Sequence, residues 1–289
     1  SLFFIRLFGQ GALPITASTH TIKSFYRDRG TALSLTQLGY PLSEFIFPAL
    51  AVYLLSTVGF KLTFIIFAIS IIVLYFPIST ISHHLFAAKP PLIKQPKHES
   101  KSLKFVLKDK FFFIYLSLSA IPPSIMTAAF FFQEDLFQSN GWQFSFVAIA
   151  IFMYALFKLI STLIIGPIID NYGVVKPLFT LTFFLGLAAL ISTFNGPQYS
   201  SYFYYGLYGI GIGCAGPTMS YLWAKLYGHD HIGEIKGFIA IIRNGSTAIT
   251  PFIFSYINEY LNISFSTIFF VSSIIILTLS TVPLFLKRY

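Results

Sequence analysis

The sequence predicts an all-α fold, a polytopic bundle of membrane-spanning helices. Composition is the first observation: of 289 residues, 55% are hydrophobic and only 10% charged, where a water-soluble domain carries about 25% charged residues. The second is patterning, because the apolar residues form blocks of roughly the 20 needed to cross a bilayer. The third is placement, with Lys and Arg gathered in the connections between blocks. A lone apolar run of this length satisfies its backbone only as a helix. The 35 Phe and 17 Tyr fit the same picture, Phe for hydrocarbon and Tyr for the headgroup level.

Taken in order, spans are expected at about 2–24, 30–56, 62–82, 110–133, 144–168, 175–194, 199–226, 232–257 and 262–286. Glycines and prolines inside them, such as Gly9, Gly11, Pro41, Pro48, Pro122, Pro123, Gly209, Gly211, Gly213, Pro217 and Pro251, mark kinks and close helix contacts. Between the third and fourth spans lies the one long polar connection, 87–109, with Pro90, Pro91, Pro96 and interspersed lysines. It reads as a linker, with room for a short amphipathic helix on the membrane surface. The organisation is therefore 1–86 (three helices), 87–109 (linker) and 110–289 (six helices).

Basic residues orient the bundle. Lys23, Arg27 and Arg29, seven lysines from Lys89 to Lys110, and Lys176, Lys225, Lys236, Lys287 and Arg288 fall on one side. The opposite connections hold Lys61 with the acidic Glu134, Asp135 and Glu259. The basic side is expected to be cytoplasmic, with the C-terminus inside and Ser1 outside, in a multi-pass protein of the cell membrane. The formal net charge of +9 thus belongs to loops at a lipid surface, and no soluble basic face is left for nucleic acid. A single cysteine, Cys214, excludes an internal disulfide and a cysteine metal cluster. His229 and His231 share a loop with Asp230, a spacing too loose to predict a metal site. No cofactor is expected.

Several short motifs carry a family resemblance. Gly166-Pro-Ile-Ile-Asp170-Asn-Tyr-Gly173, at the basic end of a span with Lys176 beyond, resembles the G-x-L-x-D-R-x-G-R-R loop of the major facilitator superfamily between helices 8 and 9. Asn171 and Val174-Val175 replace the usual basic residues. Arg6-Leu-Phe-Gly9-Gln10-Gly11 is similar to that family's helix 4, and Phe25-Tyr-Arg27-Asp-Arg29-Gly30 to the W-F-x-R-R-G turn before helix 5 in monocarboxylate-porter-like members. The resemblance implies that the nine spans match helices 4–12 of twelve, with helices 1–3 expected upstream of Ser1. It also implies a monomeric secondary carrier, in which Gly166, Asp170, Gly173, Arg27 and Arg29 form a gating loop motif.

Ionisable residues deep in hydrocarbon cost about 2.5–3.5 kcal/mol on insertion scales and face a cavity or a partner. Lys158 and Arg243 are expected near the middle of their spans. The resemblance, closest to oxalate:formate-antiporter and monocarboxylate-type carriers, implies that basic residues on these two helices bind an anionic solute. On helix 8 the family's Arg would fall at Thr162, and Lys158 lies one turn away. Structural pairing or snorkelling of the two cations is the other reading. Asn244 beside Arg243, Tyr154 one turn before Lys158, and Arg6 and Gln10 in the first span complete the candidate substrate-binding set. Glu44, flanked by Pro41 and Pro48, is either a proton-coupling carboxylate or the partner of Arg6 or Arg243.

The expected function is therefore carriage of a small organic anion, with a co-transported proton as a second partner, by two helical halves rocking about a midplane site. A membrane enzyme would show clustered carboxylates or nucleophiles near one interface, and this sequence has none. A receptor or scaffold without transport stays open. No nucleotide-binding loop occurs.

Overall fold

The computed structural model describes residues 9, 11–25, 27–87, 100–143, 146–194 and 196–285, with side chains for all of these except 81–87. Arg6 and Gln10, most of the linker, and Lys287 and Arg288 lie outside the described residues. The elements are helices: α1 (Leu13–Ser24), α2 (Arg29–Gln37), α3 (Gly39–Ala87), the short α4 (Leu103–Val106), α5 (Lys110–Phe131), α6 (Gln133–Ser139), α7 (Val147–Tyr172), α8 (Val175–Ile191), α9 (Ser200–Tyr227), α10 (Ile232–Leu261) and α11 (Phe265–Phe285). No strand occurs among the described residues.

The chain divides into two compact units, one of residues 1–41 with 99–289, the other of residues 42–98. The second is a helical hairpin. Gly59, at φ 78 and ψ 172, interrupts α3 with a backbone conformation that side chains disfavour. The Phe47 and Phe67 rings then meet at 5.8 Å, although a straight helix would set them about 30 Å apart. The two spans expected at 30–56 and 62–82 are thus joined by a one-residue reversal. Lys61, expected in a loop, lies inside the returning helix. Thr63 eases the turn by donating to the Gly59 carbonyl at 2.8 Å.

In the larger unit α9 is the central element, packing on α7 and α8. Its sequence explains this. Gly209 and Gly213 offer α7 a surface without side chains: a Cβ at Gly209 would collide with the Tyr154 carbonyl, and one at Gly213 with the Ser161 hydroxyl. Gly211 turns the other way, where a Cβ would meet Leu185 of α8 at 2.5 Å. Close backbone approach of this kind replaces the hydrophobic drive that lipid cannot supply. α9 is long enough to span, but its Gly, Ser and Tyr content makes it less apolar than α5, α7, α10 and α11. A helix surrounded by protein has no need to face lipid. At the C-terminal end of α9, Trp223 stacks on Tyr227 and meets Phe112 of α5 at 5.5 Å, within a core that includes Ile22 of α1 and Leu33 of α2.

Candidate functional site

α10 carries a line of two cations. Lys236 and Arg243 are seven residues apart, which is about 10.5 Å along the helix and roughly 20° around it. The same side holds the buried Ile232, Ile235, Ile239 and Phe254, and Ser246, which accepts from Ser124 of α5 at 2.9 Å. Arg243 is nevertheless exposed. Arg243 thus shares the helix line of these buried residues while itself remaining exposed. Tyr40 lies near enough to act on the charge of Arg243, and Arg243 near enough to act on Lys236.

Lys236 was expected in a basic connection; the structure places it inside the bundle, half-buried in the second turn of α10. Its ammonium donates to the Ser18 hydroxyl of α1 and, at 3.1 Å, to the Ser220 hydroxyl of α9. The Gln37 amide of α2 reaches the same Ser220 at 3.4 Å, and its carbonyl oxygen lies where a side chain at Gly216 would be. Four helices therefore meet around one lysine. Among the described residues, neither Lys236 nor Arg243 pairs with a carboxylate.

Lys158 occupies a different setting. It is 8% exposed, with its ammonium 3.2 Å from the Tyr154 hydroxyl and 5.3 Å from the centre of that ring. Tyr154 meets Phe130 of α5 edge-on at 5.2 Å. Phe130 and Ser124 are six residues apart, about 120° around α5, and Ser124 is the α5 residue that meets Ser246 of α10. Lys158 thus sits against Tyr154, while Arg243 shares its line of α10 with Lys236.

The loop-motif residues form a clasp. The Asp170 carboxylate accepts from the backbone N–H of Gly30 (2.7 Å) and of Thr31 (2.8 Å) and from the Thr31 hydroxyl (2.7 Å). These are orphan amides in the first turn of α2, where the helix dipole also favours a negative charge. Gly30 and Gly166 make the approach possible: a Cβ on Gly30 would lie 2.6 Å from the Gly166 carbonyl, and one on Gly166 2.7 Å from the Thr31 Cα. Gly173, at φ 77, ends α7 with its N–H on the Ile169 carbonyl at 2.9 Å. Arg29 donates to the Phe25 carbonyl at 2.9 Å, and Arg27 is exposed in the turn before α2.

Comparison with family models matches the Major Facilitator Superfamily over residues 1–136 and again over 123–289. The chain belongs to that superfamily. It is an integral membrane protein and a secondary transporter, of a superfamily that moves small solutes. No curated protein matches the chain in sequence.

Within this transporter, the expected residues separate by location. Gly166 and Asp170 form the clasp with Gly30 and Thr31, next to Arg29, and Gly173 closes the end of α7. Asn244 is exposed beside Arg243 but turned about 100° from it. Glu44 lies on the 42–98 hairpin, ahead of Pro48. Sequence reasoning missed Lys236, Ser18 and Ser220. The available signal was the seven-residue spacing from Arg243, which sets Lys236 on the same helix line.

Proposed function

We propose that this superfamily member carries a small organic anion of the carboxylate type by alternating access, with Arg243 as the principal contact. One observation carries the reading: Arg243 is exposed on the packed side of α10 and has no carboxylate partner among the described residues. A guanidinium in that position matches a carboxylate through two parallel donors. α1 through α11 are read as counterparts of helices 4–12 of the twelve-helix pattern, in its monocarboxylate-porter and oxalate:formate-antiporter branch. The basic connections face the cytoplasm by the positive-inside rule, which sets the C-terminus inside at the cell membrane.

Lys158, behind Tyr154, keeps the neighbouring wall positive, while Asn244, Arg6 and Gln10 complete the ligand surroundings. The transporter acts as a monomer. The Asp170 clasp joins α2 to α7 at the basic end, and rocking of the halves must open it. Glu44 supplies proton coupling.

The experiment is uptake of labelled carboxylates by the full chain in sealed vesicles. Arg243→Gln is expected to abolish uptake while leaving membrane insertion intact. Wild-type uptake of every carboxylate by that variant rules the anion site out.

A further inference from the structure

We propose that Lys236 is a second anion-contacting residue on α10, and that with Arg243 it gives the transporter a preference for doubly over singly charged oxyanions. This rests on the anion reading above and assigns it a charge class.

A cation drawn from bulk water into a bundle is normally paired with a carboxylate. Lys236 instead has the uncharged hydroxyls of Ser18 and Ser220. Hydroxyl acceptors satisfy geometry and leave the charge unneutralised. A lysine ammonium has three donors, and two are used by the serines. Ser220 receives both Lys236 and the Gln37 amide, which leaves its own O–H to donate. The third N–H of Lys236 and the hydroxyl of Ser220 together make a donor pair for an oxyanion.

Arg243 lies on the same line of α10, and Lys and Arg side chains are long enough to converge on one small ligand from about 10.5 Å of helix. A monoanion between them leaves one positive charge unmatched, whereas a dianion matches both. The serines also come from different helices, α1 and α9. A ligand taking the third N–H of Lys236 would thus sit where α1, α9 and α10 meet.

The test is thermal unfolding of the purified full chain with acetate or succinate as probe, at fixed ionic strength and neutral pH. Succinate is expected to bind about tenfold or more tightly than acetate, the scale of one added charge-assisted contact. Lys236→Gln should bring the two near parity while acetate still binds; Lys236→Arg should keep the preference. If Lys236→Gln retains the wild-type ratio while Arg243→Gln loses both anions, Lys236 has no such role and the anion site stands. If neither probe stabilises the wild type, or Arg243→Gln changes nothing, both readings fall. Should Lys236→Gln fail to fold, acylation of the wild type decides. Succinate is expected to protect the Lys236 amine relative to exposed Lys225, and equal labelling with and without succinate overturns the proposal.

Discussion

Asp170 holds Gly30 across 140 residues of sequence: its carboxylate oxygen sits 2.7 Å from the Gly30 amide nitrogen. The contact ties the last turns of α7 to the first turn of α2, and a second oxygen takes both donors of Thr31.

Replacing the charge tests that tie. Asp170→Asn keeps an acceptor but loses the ionised partner of the α2 N-terminus, a change worth about 0.5–2 kcal/mol. Hydrogen exchange across residues 29–37 is expected to speed up by roughly threefold to thirtyfold. Unchanged exchange would mean that the amides are protected by something other than Asp170.

A methyl group at Gly166 probes the same contact sterically. The added Cβ would stand 2.6 Å from the Ser34 hydroxyl and 2.7 Å from the Thr31 Cα, so α2 must move off α7. Gly166→Ala should cost about 1–3 kcal/mol, read as a lower thermal midpoint of the full chain. A midpoint equal to wild type would show that the two helices are not packed this closely.

The α7–α9 seam is expected to be less forgiving. At Gly209 the obstacle is the Tyr154 backbone carbonyl, with the Lys158 nitrogen at 3.0 Å, and backbone cannot rotate aside. Gly209→Ala should therefore destabilise at least as much as Gly166→Ala, and Gly209→Leu should prevent folding. Gly237 has nothing within 4 Å of its added Cβ, so Gly237→Ala serves as the tolerated control. Thermal unfolding in detergent ranks the three.

Lys158 and Tyr154 separate by a different readout. Tyr154→Phe removes a hydroxyl 3.2 Å from the ammonium and keeps the ring. The expected loss is about 1 kcal/mol of stability, with uptake retained at a severalfold higher half-saturating concentration. Complete loss of uptake with normal stability would instead make Tyr154 a direct ligand contact.

Proton coupling is carried by Glu44 in this account. Uptake driven by an inward proton gradient should lose its pH dependence in Glu44→Gln, leaving exchange of anion for anion intact. PH-dependent uptake by that variant would remove Glu44 from the coupling step.

Much of the helical plan was legible because bilayer thickness fixes block length, and apolar blocks of that length have one backbone solution. Gly59 was legible only as an interruption. A one-residue reversal and a five-residue loop look alike when flanked by Phe60 and Leu62, and the Phe47–Phe67 contact settles it. Lys236 was misplaced for a physical reason. Counting basic residues by side treats a lysine near a helix start as solvated, whereas its four-carbon stem reaches inward to Ser18 and Ser220. Asp170 was visible as a motif residue, but its partners are backbone amides, which carry no side-chain signature in sequence.

An anion path along α10 requires residue 243 to look into water, and thiol accessibility measures this directly. Cys214 is the single native cysteine, so Arg243→Cys in a Cys214→Ser background gives one reporter. A charged, membrane-impermeant thiol reagent is expected to label it in sealed and opened vesicles taken together. Labelling confined to a lipid-soluble maleimide would place the residue against acyl chains and contradict the anion path.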